Sequence, residues 1–327
     1  MKKMGFKILF FLFFPAAVFC QDFSDVDNKV MRYPDFESVT DLSYRIQNDF
    51  NEDVQRVRAA FFWVTQNLTY GKHLEDDFRG EAFGSYAFPT STQTHIDNLV
   101  QSKINRAFNA KRGVCIDYSL VLNALFEQFG LKSRIITGVS KSEITKTNPQ
   151  SIFKDHSWNA VKVDGQWRLM DPTWASGLVD RKSKRFYRLY EDHYFFTEPE
   201  EFVKTHFPIH PEWQLLKNPV NASTFFSGPI FYPEFFRKGI RLSTETDGIL
   251  SLSNPDENYI HFDELPRLHG MTYTINGRDE FKRLGLKKKN EKAYISKIHL
   301  KRRLKRSYDF LTVYMDNKPI LNFKIEP

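Results

Sequence analysis

The sequence predicts an α+β core followed by an all-β sandwich. Three observations carry that expectation. An apolar helix opens at Cys115. A two-residue turn, Asp164-Gly165, joins strand-like runs that carry His156 and Asp171. Beyond Leu216 the pattern changes to short alternating runs separated by turn residues. The first two place a helix bearing Cys115 against an antiparallel sheet bearing His156 and Asp171. The third adds a sandwich with immunoglobulin-like strand spacing.

Residues 1–20 read as an export signal. Lys2, Lys3 and Lys7 form a positive start, and an apolar run from Ile8 to Val18 follows. That run is short for a membrane span. Cleavage after Cys20 is expected, giving a periplasmic or extracellular bacterial protein. The alternative is a lipoprotein anchored at Cys20, which Phe19 fits poorly. Of the two cysteines only Cys115 then remains, so no internal disulfide can form. An unpaired thiol in an oxidising space points to reactivity. Removing the three signal lysines takes 47 Lys and Arg to 44 against 40 Asp and Glu, a net of +4. Net charge therefore excludes little, and 32 Phe in 327 residues argue for packed interiors.

In chain order, 22–40 reads as an extended lead-in. Residues 41–70 suggest a helix and then a strand at Leu68–Tyr70, and 72–92 carries no clear periodicity. Ile96–Lys111 reads as a helix. The next runs from Cys115 to Phe129, where Gly130 supplies the left-handed cap. A cysteine at that helix start meets the positive end of the dipole, which favours thiolate. Arg134–Ser140 is a strand, and a polar loop over 141–154 leads to His156. With the Asp164-Gly165 turn, Val163 opposes Gln166 and Trp158 opposes Asp171. His156 and Asp171 become diagonal neighbours on one face, within roughly 7–8 Å at the backbone. A one-residue slip would put them on opposite faces. Trp158 is expected to pack beside the pair and shield it from water. Asn159 faces the other way, and Trp174 reads as a structural loop anchor.

The Arg112-Gly-Val-Cys115 segment, the His156-x-Trp-Asn159 segment and Trp167-x-x-x-Asp171-Pro-Thr resemble the transglutaminase-like superfamily of papain-type thiol enzymes. The Arg58–Tyr70 segment resembles that family's upstream helix and strand. Tyr194–Val203, His206-Phe-Pro208 and Glu212–Leu216 are similar to its kyphoscoliosis-peptidase branch. The resemblance implies Cys115 as nucleophile, His156 as general base and Asp171 as the residue that orients the imidazole. It implies a protein or peptide substrate, with hydrolysis and amine transfer both open. Asp117 stands where the family often has Gly, and a carboxylate facing the thiol would oppose its ionisation. Trp63 and Gln93 are the candidates for a second oxyanion donor. The alternative is a non-catalytic scaffold whose sandwich binds envelope proteins or polymers.

The expected division is residues 21–218 for the catalytic domain and 219–327 for the β-sandwich. The basic series Lys282–Arg306 is a candidate contact with anionic envelope polymer or a membrane surface. No phosphate loop, dinucleotide fingerprint or nucleic-acid module is visible, so neither a cofactor nor nucleic acid is expected. His206 and His210 have a metal-like spacing, but Pro208 and Pro211 break the helix it would need, and no metal is expected.

Overall fold

The computed structural model describes residues 22–71, 93–143, 155–180, 183–266, 270–278, 280–300 and 309–327. The expected export signal, the 72–92 stretch, most of the loop before His156 and residues 301–306 of the basic series lie outside them. Among the described residues, no helix is long and apolar enough to cross a membrane.

The segment expected to be extended starts with a helix, α1 (Ser24–Val30). Seven residues are too few to hold a helix in isolation; tertiary docking does so. Val26 and Val30, one turn apart, are buried. Asp27 receives the Arg58 guanidinium at 2.8 and 2.6 Å. The next predicted helix is two, α2 (Val39–Asp49) and α3 (Asp53–Asn67). Ser38 caps α2 by accepting the Asp41 N–H at 3.1 Å. Strand β1 (Thr69–Tyr70) follows α3 and pairs in parallel with β2 (Arg112–Gly113), at the end of α4 (Gln93–Ala110). That pairing sets Tyr70 opposite Gly113, two residues before Cys115.

Helix α5 (Cys115–Gln128) starts and stops as the letters predict. Asp117 Oδ2 accepts the Val114 N–H at 2.9 Å and closes the first turn. A Cβ at Gly113 would lie 2.4 Å from the Asp117 Cβ, so the turn requires glycine. At the other end Gly130 has φ +74°, the Leu131 N–H bonds Phe126 O and the Gly130 N–H bonds Glu127 O, a Schellman cap. The buried faces of α3, α4 and α5 form the main core, where Trp63 stacks on Phe108 at 5.0 Å.

Against α5 lies an antiparallel sheet of β3 (Ser133–Ser140), β4 (His156–Val163), β5 (Gln166–Met170) and β8 (His206–Pro208), in the order β5-β4-β3-β8. Asp164 and Gly165 both have positive φ, and Val163 opposes Gln166 in the predicted register. The chain leaves β5 into α6 (Pro172–Ser176) and then a ribbon of β6 (Gly177–Val179) and β7 (Phe186–Arg188). One turn, α7 (Pro199–Phe202), precedes β8.

Beyond 219, helix α8 (Ala222–Ser227) packs Phe225 and Phe226 on Val139 and Phe207 of the first sheet. Strand β9 (Ile230–Phe231) and helix α9 (Pro233–Arg237) lead into β10 (Arg241–Leu242), β11 (Ile249–Ser251), β12 (Tyr259–Glu264) and β13 (Thr272–Ile275). The last strands are β14 (Lys282–Arg283), β15 (Leu286–Lys288), β16 (Tyr294–Lys297), β17 (Asp309–Met315) and β18 (Lys318–Glu326). They form two sheets, β10-β12-β16-β15 and β11-β18-β17-β13-β14, with β9 also on β18. This is the immunoglobulin arrangement, ABED facing GFC. One apolar cluster, from Ile260 and Phe262 on one sheet to Leu311 and Phe323 on the other, fills the space between them. Lys287 and Lys288 are exposed on β15, an edge strand, where lysine discourages pairing with other chains.

Candidate active site

His156 opens β4 and is 7% exposed, while Asp171 is fully buried at the cap of α6. His156 Nε2 lies 2.7 Å from Asp171 Oδ2. The diagonal placement inferred from the hairpin therefore brings the two side chains together. Asp171 Oδ1 accepts the Thr173 and Trp174 N–H groups at 2.8 and 3.1 Å. The carboxylate thus caps α6 with one oxygen and holds the imidazole with the other.

Cys115 is a half-buried free thiol at the first residue of α5. Its presence helps to hold the His156 pKa up. With Nε2 turned to Asp171, Nδ1 is the nitrogen left for the thiol. Burial opposes charge on His156, but the Asp171 carboxylate and the hydrogen bonds from Asp171 and Cys115 outweigh it and hold the pKa up at about 10. Burial also pushes the Asp171 carboxyl up, yet the charge and hydrogen bonds of His156 and His206 hold it well below the usual range. His156 therefore stabilises the fold fully below its unfolded pKa near 6.5, and that contribution is lost as pH rises through about 10. The Asp171 contribution is present above its unfolded pKa of about 3.9 and is lost as pH falls towards its lower folded value.

Sequence reasoning missed His206 as a member of this site. Its Nε2 lies 3.0 Å from the same Asp171 Oδ2, and its Nδ1 lies 2.8 Å from Thr205 Oγ1. Burial pushes its pKa down, against the pull of Asp171. The metal-like spacing noted in the sequence paired His206 with His210, but His210 is exposed. Among the described residues, His156, Asp171 and His206 form the group whose ligand atoms cluster closely enough for a cation. Their lone pairs and protons already match one another.

Trp158 is fully buried, with its ring 6.0 Å from His156 and 5.1 Å from His206. Its ring packs beside both imidazoles. A Cβ at Gly138 would lie 2.5 Å from the Trp158 ring and 2.2 Å from Phe207 O, so the strand beneath needs glycine. Asn159 faces α5 and donates to Ser119 O at 3.0 Å. Trp174 is more than a loop anchor: its ring sits 5.7 Å from His156 and 4.7 Å from His206. The Asp117 carboxylate is bonded to the Val114 N–H. Neither oxyanion candidate borders the site: Trp63 is 1% exposed in the helical core, and Gln93 is exposed and donates to Asp97.

His156 and Trp174 line a cleft of about 860 Å³. Tyr70, Lys141, Phe186, Tyr194, Phe231, Tyr232 and Pro319 also line it. Burial first, then the charges of Cys115 and Asp171, push the Tyr70 phenol up, so it stays protonated. Lys141 is 1% exposed. Its ammonium donates to Phe225 O and lies 4.9 Å from the Phe225 ring centroid. Burial pushes its pKa down to about 7. An unfolded lysine titrates near 10.4, so between those values the unfolded chain binds more protons and stability rises with pH. Lys141→Met is expected to raise the thermal midpoint most below pH 7, with the gain shrinking towards pH 10. Midpoints measured from pH 5 to 10 check this; a lower midpoint at every pH would mean the Phe225 contacts dominate.

The helix-borne thiol, the strand-borne imidazole and the carboxylate at the cap of α6 define a papain-type thiol-enzyme scaffold. The chain belongs to the transglutaminase-like superfamily, whose core matches residues 40–172. Within it the sequence falls with the kyphoscoliosis-peptidase branch. It is 29% identical over 260 residues to kyphoscoliosis peptidase of Mus musculus, covering 79% of this chain and 36% of that protein. The Homo sapiens protein of the same name is 28% identical over 276 residues, covering 84% and 39%. Hillarin of Drosophila melanogaster is 30% identical over 245 residues, covering 69% and 27%. The chain thus spans less than half the length of each of these relatives.

Proposed function

We propose that this chain is an exported thiol acyl-transfer enzyme acting on protein or peptide amides, with Cys115, His156 and Asp171 as its catalytic triad. The observation that carries the reading is the His156 imidazole held 2.7 Å from the buried Asp171 carboxylate, with the free thiol of Cys115 at the start of α5 helping to raise the ring's pKa. Transfer of the thiol proton to His156 makes the thiolate, which attacks the amide carbon. The tetrahedral intermediate collapses to a thioester as His156 protonates the leaving amine. Water releases an acid, or a second amine takes the acyl group, and His156 accepts the proton of whichever attacks. The kyphoscoliosis-peptidase relatives favour hydrolysis.

The Cys115 backbone N–H, at the start of α5, suits one side of the oxyanion. Tyr70, a protonated phenol on the cleft wall close enough to sense Cys115, replaces Trp63 and Gln93 as the second donor. Tyr70→Phe is expected to cut turnover about 100-fold while leaving the alkylation rate of Cys115 unchanged. Equal turnover in the two proteins would remove Tyr70 from the mechanism.

The division at 218/219 remains part of the reading, supported by the separate apolar clusters of core and sandwich. Packing of Phe225 and Phe226 on the first sheet favours a junction nearer Gly228-Pro229. Export belongs to the proposal as well: intact-mass measurement of the protein from its host should give a chain starting at Gln21. A mass that retains residues 1–20 without lipid would overturn export.

The direct test is alkylation of Cys115 by a small electrophile as a function of pH. Labelling near neutral pH much faster than a free thiol supports the enzyme. Labelling at the ordinary thiol rate favours the scaffold instead.

A further inference from the structure

The Asp171 carboxylate serves two imidazoles, and the thiol mechanism uses only one. We propose that His206 is a positioning residue: as a neutral ring it donates Nε2–H to Asp171 Oδ2 and holds that oxygen where it fixes the His156 ring with Nδ1 towards Cys115. The inference rests on the thiol reading above for its purpose, and on the geometry for its content.

The hydrogen-bond roles follow from the partners. Ionised Asp171 can only accept, so each Nε2 facing its Oδ2 carries a proton. At His206 the other nitrogen meets Thr205 Oγ1 at 2.8 Å, shorter than the 3.2 Å from that hydroxyl to Phe202 O, and the hydroxyl can turn its one proton from Phe202 O to the ring. A neutral ring with its proton on Nε2 therefore satisfies both contacts. The titratable groups around the ring are Asp171, His156, Asp155, His193 and Tyr194. A second positive ring on this carboxylate would repel His156, and burial opposes that charge too. The remaining surroundings are apolar: Phe202 stacks on His206 at 4.2 Å, and Trp158 and Trp174 lie at 5.1 and 4.7 Å.

The contact also ties two parts of the chain together. His206 comes from β8, which joins the sheet at the edge of β3 with His206 opposite Ser140. Asp171 comes from the opposite side, beyond β5. Without His206, Oδ2 would have His156 as its sole side-chain partner among the described residues, and the carboxylate could turn about its Oδ1 anchor on α6. Small misplacements of a base cost large factors in rate.

Two measurements decide the matter. Ring ¹⁵N spectra of histidine-labelled protein read the tautomers whether or not Cys115 is reactive. The expected result is a neutral His206 with its proton on Nε2 between pH 6 and 8. A proton on Nδ1, or a charged ring at pH 7, would overturn the proposal. The second measurement is the pH profile of Cys115 alkylation in His206→Leu and His206→Gln, with thermal midpoints recorded. Loss of the donor in His206→Leu should slow alkylation at pH 7 about tenfold and move the midpoint of the profile to higher pH. Gln, which can place an amide N–H near the lost Nε2–H, should restore both. Profiles superimposable on the native one, or Leu and Gln equally impaired in folded protein, would sink the role. Should His206→Leu not fold, His206→Gln against the native protein and the ring spectra still decide it. A native Cys115 with ordinary thiol reactivity, alongside the expected His206 tautomer, would end the enzyme reading and leave the His206 contact standing.

Discussion

Removing the imidazole of His156 is expected to slow alkylation of Cys115 at pH 7 by about thirtyfold, down to the rate of a free thiol. The size follows from ionisation: an isolated thiol is only a few per cent thiolate at pH 7, whereas a thiol paired with an imidazolium is almost fully ionised. His156 is poised for that role, because Asp171 and Cys115 hold its pKa at about 10 against the burial that opposes charge. Turnover should fall further, by about 100- to 10,000-fold, since in the proposed mechanism the same ring protonates the leaving amine. His156→Ala also leaves Asp171 short of one partner in a dry site, and breaking a buried pair costs about 3–5 kcal/mol. His156→Gln, which can still donate to Asp171, separates loss of the base from loss of stability. Rates equal to native in folded His156→Gln would remove the thiol–imidazole pairing.

Asp171→Asn is expected to lower turnover by about four orders of magnitude while the fold persists. The reason lies in the two ends of the side chain. The Asn oxygen must remain with the Thr173 and Trp174 N–H groups to cap α6. Its NH₂ then faces both histidines, and each Nε2 must accept instead of donate. His156 would carry its proton on Nδ1, towards Cys115, and could not receive the thiol proton. His206 tolerates the same change, because a proton on its Nδ1 can go to Thr205 Oγ1, whose own hydroxyl reaches Phe202 O at 3.2 Å. Steady-state turnover and thermal unfolding of the same preparation test this. Turnover within tenfold of native would show that the carboxylate is dispensable. A midpoint lowered by more than about 10 °C, well beyond the few degrees of a weakened cap, would make Asp171 structural first.

Much of the site was legible because its decisive relations are local. Asp164-Gly165 can form a two-residue hairpin with positive φ at both positions, and that turn sets the register that brings His156 and Asp171 together. Gly113 and Gly130 mark the ends of α5, and the start of α5 is where Cys115 stands. In the C-terminal half, short alternating runs announce the sandwich, whereas β9, β14 and β15 are two or three residues long and carry no apolar alternation.

Other features depend on contacts that no local pattern encodes. Helix α1 has two buried valines and is held by Arg58, 31 residues away. Its Pro-Thr neighbourhood marks Trp174 as a loop anchor; only the fold turns its ring onto two histidines. Tyr70 reaches the site through a two-residue parallel pairing with the strand before Cys115.

The hairpin register and the place of Cys115 at the start of α5 follow from the letters alone. Turn chemistry and side-chain periodicity act over a few residues, and their consequences can be counted along the chain. Packing across the whole chain sets a second imidazole on Asp171, puts Trp63 in the core, and brings Phe231, Tyr232 and Pro319 to the cleft wall. His206 is 35 residues from Asp171, and it arrives through a three-residue strand whose place on the edge of β3 is set by packing. Such convergence depends on which surfaces bury one another, and burial is a property of the whole fold.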